Sequence, residues 1–292
     1  MQNLYNALKE KFKLHIQQLG YSKSSVNMLP NCIAEFLQYS NINEPKEASQ
    51  EHIKAFYEYL QNRKHKRKET TLSESFINHN IYSLKVFFNW LEETSQIKYN
   101  PISNLKFKRP KPNTREPLSQ EEIKELFAAT ATSKEIAILH LFYSFGLRRT
   151  EAENINTADI HFTKNLLYVR EGKGAKRRVI PITQKVKKEL EKYYQTERIK
   201  SSSFGGVGEA AFMFNASLSR MKGDQYNKIL KEILQRTEIN KEITLHHLRH
   251  SIATHLLENG LSIEFVRDFL GHSQLETTQI YAKVKASKIL KL

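Results

Sequence analysis

Apolar residues recur at three- and four-residue steps through most of this chain, and that period restricts it to helical elements. Leu4, Leu8, Phe12, Ile16 and Leu19 form one such stripe, ending at Gly20, as an amphipathic helix with a buried face would. Similar stripes follow in Val26, Leu29, Ile33 and Leu37, in Ile53, Phe56 and Leu60, and in Ile77, Ile81, Leu84, Phe88 and Leu91. About four helices are expected in the N-terminal unit. Pro30 falls inside the second stripe, where it either kinks the helix or marks its first turn.

Between Pro101 and Pro117 the text PISNLKFKRPKPNTREP loses this period and gains proline and positive charge, as an extended basic linker does. Ser119 then precedes Glu122 by three residues, a capping box opening the next helix. NLLYVREGKGAKRRVIPI reads as two short strands around Gly172-Lys173-Gly174. Helical patterns resume over residues 186–194, 227–236, 246–258 and 263–270, the last two closed by Gly260 and Gly271. The expected fold is mainly α. A helical domain (1–103), a basic linker (104–117) and a mostly helical domain with a small β-hairpin (118–292) share the 292 residues.

Lys and Arg number 46 against 31 Asp and Glu, a formal +15. Such a balance favours a polyanionic partner, nucleic acid first, with a solvated basic surface as the plainer reading. Cys32 is the only cysteine, which excludes an internal disulfide and a cysteine-rich zinc cluster and suits a reducing compartment. The opening MQNLYNALKEKF does not read as a leader. The longest apolar stretch, from Ile136 to Leu147, is too short to span a bilayer, so no membrane partner is expected.

Five separated pieces of the C-terminal half carry groups that phosphate chemistry needs. They are Gly146-Leu147-Arg148-Arg149-Thr150-Glu151, Gly172-Lys173-Gly174, His246-His247-Leu248-Arg249-His250, Leu270-Gly271-His272 and Tyr281. His246 and Arg249, three apart on an expected helix, point from one face and can grip one anion. Lys173 at a hairpin tip can reach a groove or a scissile phosphate. Each has a plainer reading alone. The pair could be a solvated helix face, the lysine a polar turn, and His272 a loop residue after a helix end. Tyr281 could pack on a helix with its hydroxyl at the surface.

Together and in this order, the pieces resemble the tyrosine recombinase (phage integrase) family, nearest its Xer-type and transposon integrases. HHLRHSIATHLLENG and LGHSQLETTQIYAKV carry the resemblance, with 23 residues from Arg249 to His272 and 9 from His272 to Tyr281. It covers nearly the whole chain. Residues 1–103 resemble the family's four-helix, SAM-like core-binding domain, and 118–292 its catalytic domain.

The resemblance implies a DNA transesterification needing no metal, ATP or other cofactor. Tyr281 would attack the scissile phosphorus and form a 3′-phosphotyrosine, leaving a free 5′-hydroxyl. Arg148 and Arg249 would clamp the non-bridging oxygens. His246 would be a general acid or base, and Lys173 the acid for the leaving oxygen. His272 would donate a hydrogen bond to the phosphate, and Glu151 would orient its catalytic neighbours. Only the family register selects Arg148 over the adjacent Arg149. His247 and His250 are read as structural. The family often has proline where Leu245 stands.

An unbroken helix would separate His272 from Tyr281 by about 14 Å. The intervening segment must therefore bend, with Ser273 and Glu276 as a capping box and Thr277-Thr278 as the interruption.

Arg63, Lys64, Lys66, Arg67 and Lys68 form a run that is either a solvated loop or a DNA-backbone contact. In the linker, Lys106, Lys108, Arg109 and Lys111 are expected on phosphates. The resemblance further implies double-stranded DNA with inverted-repeat-like core sites, and a tetramer on DNA joined through the C-terminal tail. An accessory or paralogous recombinase and a nucleoid-associated place in a bacterial cytoplasm would fit it. A type IB topoisomerase-like relaxing enzyme and a non-catalytic DNA-binding regulator are the alternatives.

Overall fold

A computed structural model describes residues 2–64, 70–108, 116–170, 177–198 and 210–271, with side chains from residue 7 onward. It divides into two compact units, Met1–Asn113 and Thr114–Leu292.

Among the described residues the first unit holds four α-helices: α1 (Gln2–Gln18), α2 (Lys23–Ser40), α3 (Gln50–Asn62) and α4 (Glu74–Glu93). Serines open three of them. Ser22, Ser49 and Ser73 accept from the backbone N–H three residues on, at 3.2, 3.3 and 3.2 Å, satisfying a donor that the helix itself leaves unpaired. The stripes read from the sequence are the buried faces. Phe12, Ile16, Leu29, Ile33, Phe56 and Phe88 all lie in one core. Phe12 meets Phe87 edge-on at 5.2 Å, and Phe36 meets Phe56 at 5.4 Å.

Two expectations are corrected here. Leu19 is 59% exposed: α1 stops at Gln18, and beyond a helix end the helical period no longer directs a side chain inward. Pro30 does not mark a first turn, because α2 begins seven residues earlier at Lys23 and continues to Ser40. The helix tolerates the missing N–H because Leu29, Ile33, Phe36 and Leu37 hold its inner face in the core.

In the second unit, α5 (Gln120–Ala128) opens with the expected capping box. Ser119 N–H donates to Glu122 Oε2 at 2.7 Å, and Glu122 N–H to Ser119 Oγ at 3.1 Å. The long apolar run becomes α6 (Ser133–Leu139) and a π-helical turn, His140–Ser144. The chain then reverses through Gly146 (φ +54°) into α7 (Arg149–Asn154). The expected hairpin pairs β2 (Leu166–Val169) with β3 (Arg178–Pro181). A further strand, β1 (Ile160–His161), joins its other edge to make a three-stranded antiparallel sheet. Two residues are too few for alternation to reveal a strand. Helices α8 (Gln184–Tyr193), α9 (Gly223–Leu234), α10 (Leu245–Glu258) and α11 (Ile263–Leu270) complete the described part.

Polar contacts tie α10 to the start of this unit. Leu118 N–H donates to Ser251 Oγ at 2.8 Å, and the Leu118 carbonyl lies 2.9 Å from His255 Nε2. Tyr143 Oη is 3.0 Å from His255 Nδ1. His255 is buried, so these partners replace water at both ring nitrogens. The helix that carries His246 and Arg249 is thereby fixed in rotation and height.

Candidate active site

Arg148 caps α7 and folds back on it. Its N–H donates to Glu151 Oε2 at 2.8 Å, its Nη1 to Glu151 Oε1 at 2.7 Å, and its Nη2 to the Gly271 carbonyl at 2.8 Å. Arg249, on α10, donates to the carbonyls of Gly146 and, at 2.7 Å, Leu270. Its Nη1 lies 3.9 Å from Glu151 Oε2. Two arginines thus hold the carbonyls that end α11, where the helix dipole leaves partial negative charge. The residue after that end is His272.

Close approach makes this possible at Gly146. A Cβ there would come within 2.7 Å of Leu270 Cδ2, so only glycine lets the turn lie against α11 while its carbonyl faces Arg249.

A third arginine, Arg178, completes the cluster. Its Nη1 and Nη2 donate to Glu151 Oε1 and Oε2 at 3.0 and 2.8 Å. Sequence reasoning passed over it. The signal was strand parity: Arg178 shares its face with the buried Ile180, while Val179 between them is exposed, as two-residue alternation requires. Glu151 is 1% exposed and faces three guanidinium groups. Burial would raise its carboxyl, but the bonds and charge of Arg178, the Arg148 N–H and the charge of Arg249 hold it down at about 2. One carboxylate among three cations leaves an excess positive charge, suited to an anion such as a phosphodiester.

His246 is exposed near the start of α10. It borders a recess of about 200 Å³ shared with Leu147, Arg149 and Thr244. His247 instead closes the helix start, its Nδ1 lying 3.1 Å from the Thr244 N–H, a structural role. Arg149 is about half exposed, near Glu153 and Asp224 at 3.7 and 3.6 Å, and makes no contact with Glu151 among those described. The structure therefore brings Arg148, Glu151 and Arg249 together, with His246 on the helix of Arg249. Lys173, His272, Tyr281, the expected Ser273/Glu276 cap, Thr277-Thr278 and the tail lie outside the described residues.

Of the basic residues expected on DNA, Lys64 and Lys106 are exposed. Lys108 is exposed and reaches Glu74 at 2.9 Å. Arg63 differs from its neighbours in the run: it pairs with Glu35 and lies over the Tyr59 ring, 6.0 Å from the centroid. Lys66, Arg67, Lys68, Arg109 and Lys111 lie outside the described residues. No helix among the described residues is long and apolar enough to cross a membrane.

The described part is a helical unit followed by a mostly helical unit with a small sheet, in which three arginines gathered on Glu151 suit a phosphodiester. Residues 116–288 match the phage integrase family, and residues 8–98 its N-terminal SAM-like domain. The tyrosine recombinase of Pseudothermotoga lettingae is 31% identical over 278 residues, covering 94% of this chain and 91% of its own. Tyrosine recombinase XerC of Thermodesulfovibrio yellowstonii is 31% identical over 293 residues, covering 96% and 93%. Among solved structures, XerA recombinase is similar at 25% identity and a TM-score of 0.51, covering 95% of this chain and 93% of its own. A lambda integrase dimer bound to a core site shares the fold at 15% identity and a TM-score of 0.73, covering 94% of each chain. The Tn1549 transposon integrase, in complex with circular intermediate DNA, does so at 17% and 0.71, covering 98% and 99%. The chain belongs to the phage integrase family of tyrosine recombinases, and its activity is site-specific DNA recombination, the cleavage and rejoining of strands by the tyrosine mechanism.

Proposed function

We propose that Tyr281 is the nucleophile of this recombinase and that Arg148 and Arg249 bind the phosphate it attacks. The observation that carries this reading is the convergence of Arg148, Arg249 and Arg178 on the single buried carboxylate of Glu151, beside the end of α11. The Tyr281 oxygen forms a bond to phosphorus as the bond from phosphorus to O5′ breaks. The phenolic proton passes to His246, and O5′ takes a proton from Lys173. One phosphate ester replaces another, so rejoining is the same step reversed, with the 5′-hydroxyl as nucleophile. His272 follows Gly271 directly and donates to the phosphate, while Glu151 orients Arg148.

The substrate is double-stranded DNA carrying inverted-repeat-like core sites, a reading supported by the core site bound to the lambda integrase dimer and the circular intermediate DNA bound to the Tn1549 integrase. In this reading residues 1–103 grip the duplex and 104–117 run along it. Lys64, Lys106 and Lys108, with Lys66, Arg67, Lys68, Arg109 and Lys111, meet backbone phosphates, and Arg63 anchors the basic run through Glu35. Four copies assemble on two duplexes, each docking its tail after Lys285 on a neighbour, with or without an accessory or paralogous recombinase. The place of action is the bacterial nucleoid.

The test is to mix the enzyme, and separately its Tyr281→Phe variant, with DNA from the source organism, denature, and sequence fragments still bound to protein. Adducts at one or a few loci with the wild type alone are the expected result. Adducts spread everywhere would point to a relaxing enzyme, and equal adducts from both proteins would remove Tyr281 from its role.

A further inference from the structure

We infer that Arg178 is a positioning residue for strand cleavage: gripping both oxygens of Glu151 beneath Gly271, it holds Arg148 and the turn before His272 in one arrangement. The inference rests on the phosphate-binding role proposed above for Arg148.

Three relationships place this residue. The first is the two-bond fork to Glu151, at 3.0 and 2.8 Å, a geometry that fixes the carboxylate plane as a single bond would not. Glu151 in turn receives both the N–H and Nη1 of Arg148, so the orientation set by Arg178 is passed to the arginine assigned to the phosphate. The second is with Gly271, which has φ +65°; a Cβ built there would stand 3.0 Å from Arg178 Nη1. The guanidinium therefore forms the floor under the residue that precedes His272. The third is backbone pairing: Arg178 sits opposite Val169, the last described pair at one end of the β2–β3 register. Arg178 itself is 7% exposed in its side chain and turned onto Glu151, so it acts through Glu151.

A purely structural arginine would affect folding alone, whereas a positioning one must also change how the site titrates. The groups facing Glu151 are Arg148 on its own helix, Arg178 on β3 and Arg249 on α10. Asp159, Arg170 and Arg220 share with it a polar recess on another side. Arg178 is the largest influence holding the Glu151 carboxyl down. Without it, burial is opposed by less charge and the carboxyl rises; once protonated, it releases Arg148.

The experiment compares wild type, Arg178→Gln and Arg178→Lys on a nicked duplex carrying the site located by adduct mapping. It measures DNA affinity and the adduct-forming rate of the bound complex from pH 5 to 9. Arg178→Gln should bind DNA with little change but form adducts about 10- to 100-fold more slowly, the usual cost of losing a group that orients a directly acting one. Its rate relative to the wild type should fall further toward acid pH, because the Glu151 carboxyl, with less charge opposing its burial, protonates more readily. Arg178→Lys keeps the charge without the fork and should recover part of both losses. If Arg178→Gln does not fold, Arg178→Lys carries the same test. A wild-type rate, or a slower rate with no new acid limb in the folded variant, would overturn the inference. If wild-type protein forms no Tyr281-dependent adduct, it is the catalytic reading itself that fails.

Discussion

Arg148 and Glu151 close on each other twice across the first turn of α7, through the arginine's N–H at 2.8 Å and its Nη1 at 2.7 Å. This leaves Nη2 for the Gly271 carbonyl. The carboxylate therefore serves less as a counter-charge than as a template that sets the plane of the guanidinium.

That geometry gives unequal roles to two adjacent arginines. Arg148→Lys loses the planar fork while keeping charge, and adduct formation should fall about 100- to 1000-fold. Arg149→Lys, at a side chain that is 54% exposed, should change the rate by less than about threefold. Adduct-forming rates of the two variants on the mapped site check this, and equal losses would contradict it.

Glu151 also makes stability depend on acidity. Its carboxyl sits at about 2 against an ordinary 4.5, so the folded state favours the ionised form. The resulting stabilisation is complete above about pH 4.5 and disappears as pH falls through that value toward 2. A shift of this size corresponds to about 3 kcal/mol. Urea unfolding from pH 7 down to 3 should show about 2 kcal/mol of this loss, and Glu151→Gln, which leaves Arg148, Arg178 and the buried Arg249 without their carboxylate, should flatten the slope while lowering stability at neutral pH by about 3–5 kcal/mol.

Gly271 holds φ +65° with Arg178 directly beneath it. Gly271→Ala adds left-handed strain of about 1–2 kcal/mol and displaces the guanidinium. Thermal unfolding should shift by a few degrees at most, while adduct formation drops by more than the stability change accounts for. A variant as active as the wild type would show that the turn tolerates a shift.

The Leu118 latch predicts a purely structural effect. Tyr143→Phe removes one hydrogen-bond partner of buried His255, at a cost of about 0.5–1.5 kcal/mol. Burial pushes the Tyr143 hydroxyl up to about 12, so it stays protonated and its own ionisation adds nothing to the loss between pH 6 and 9. Chemical denaturation of the two proteins across that range is the check.

Lys108 reaches Glu74 across solvent, with both side chains more than half exposed. Such a pair contributes at most about 1 kcal/mol and leaves the lysine able to change partners. Lys108→Ala should lower the slope of log affinity against log salt by about 0.9 if it meets one phosphate. Folding stability should stay nearly unchanged.

Much of this was legible before any coordinates. The buried faces of α2, α3 and α4 follow from apolar spacing, since a helix repeats its faces every three to four residues. The start of α5 follows from Ser119 and Glu122, because a capping box is local chemistry. The family signature picked out Arg148, Glu151 and Arg249, and the structure gathers them. Less was legible where the cause is not local. Leu19 looked like one more member of a stripe, and only the end of α1 at Gln18 turned it to solvent. Strand β1 is two residues long and exists because β2 offers it an edge.

By itself the sequence determined the helical class, the positive balance that favours a polyanion, and the order in which Arg148, Glu151 and Arg249 follow one another. Each of these is carried by residue type and spacing along the chain. Tertiary structure alone decided that Arg178 joins Arg148 and Arg249 on one carboxylate, and that the carbonyls closing α11 rest on those arginines. The segment 146–151 and residues 178, 249 and 271 are far apart in the chain, and their convergence depends on how α7, β3, α10 and α11 pack. A charge's partner, and therefore its pKa and its role, is a property of that packing.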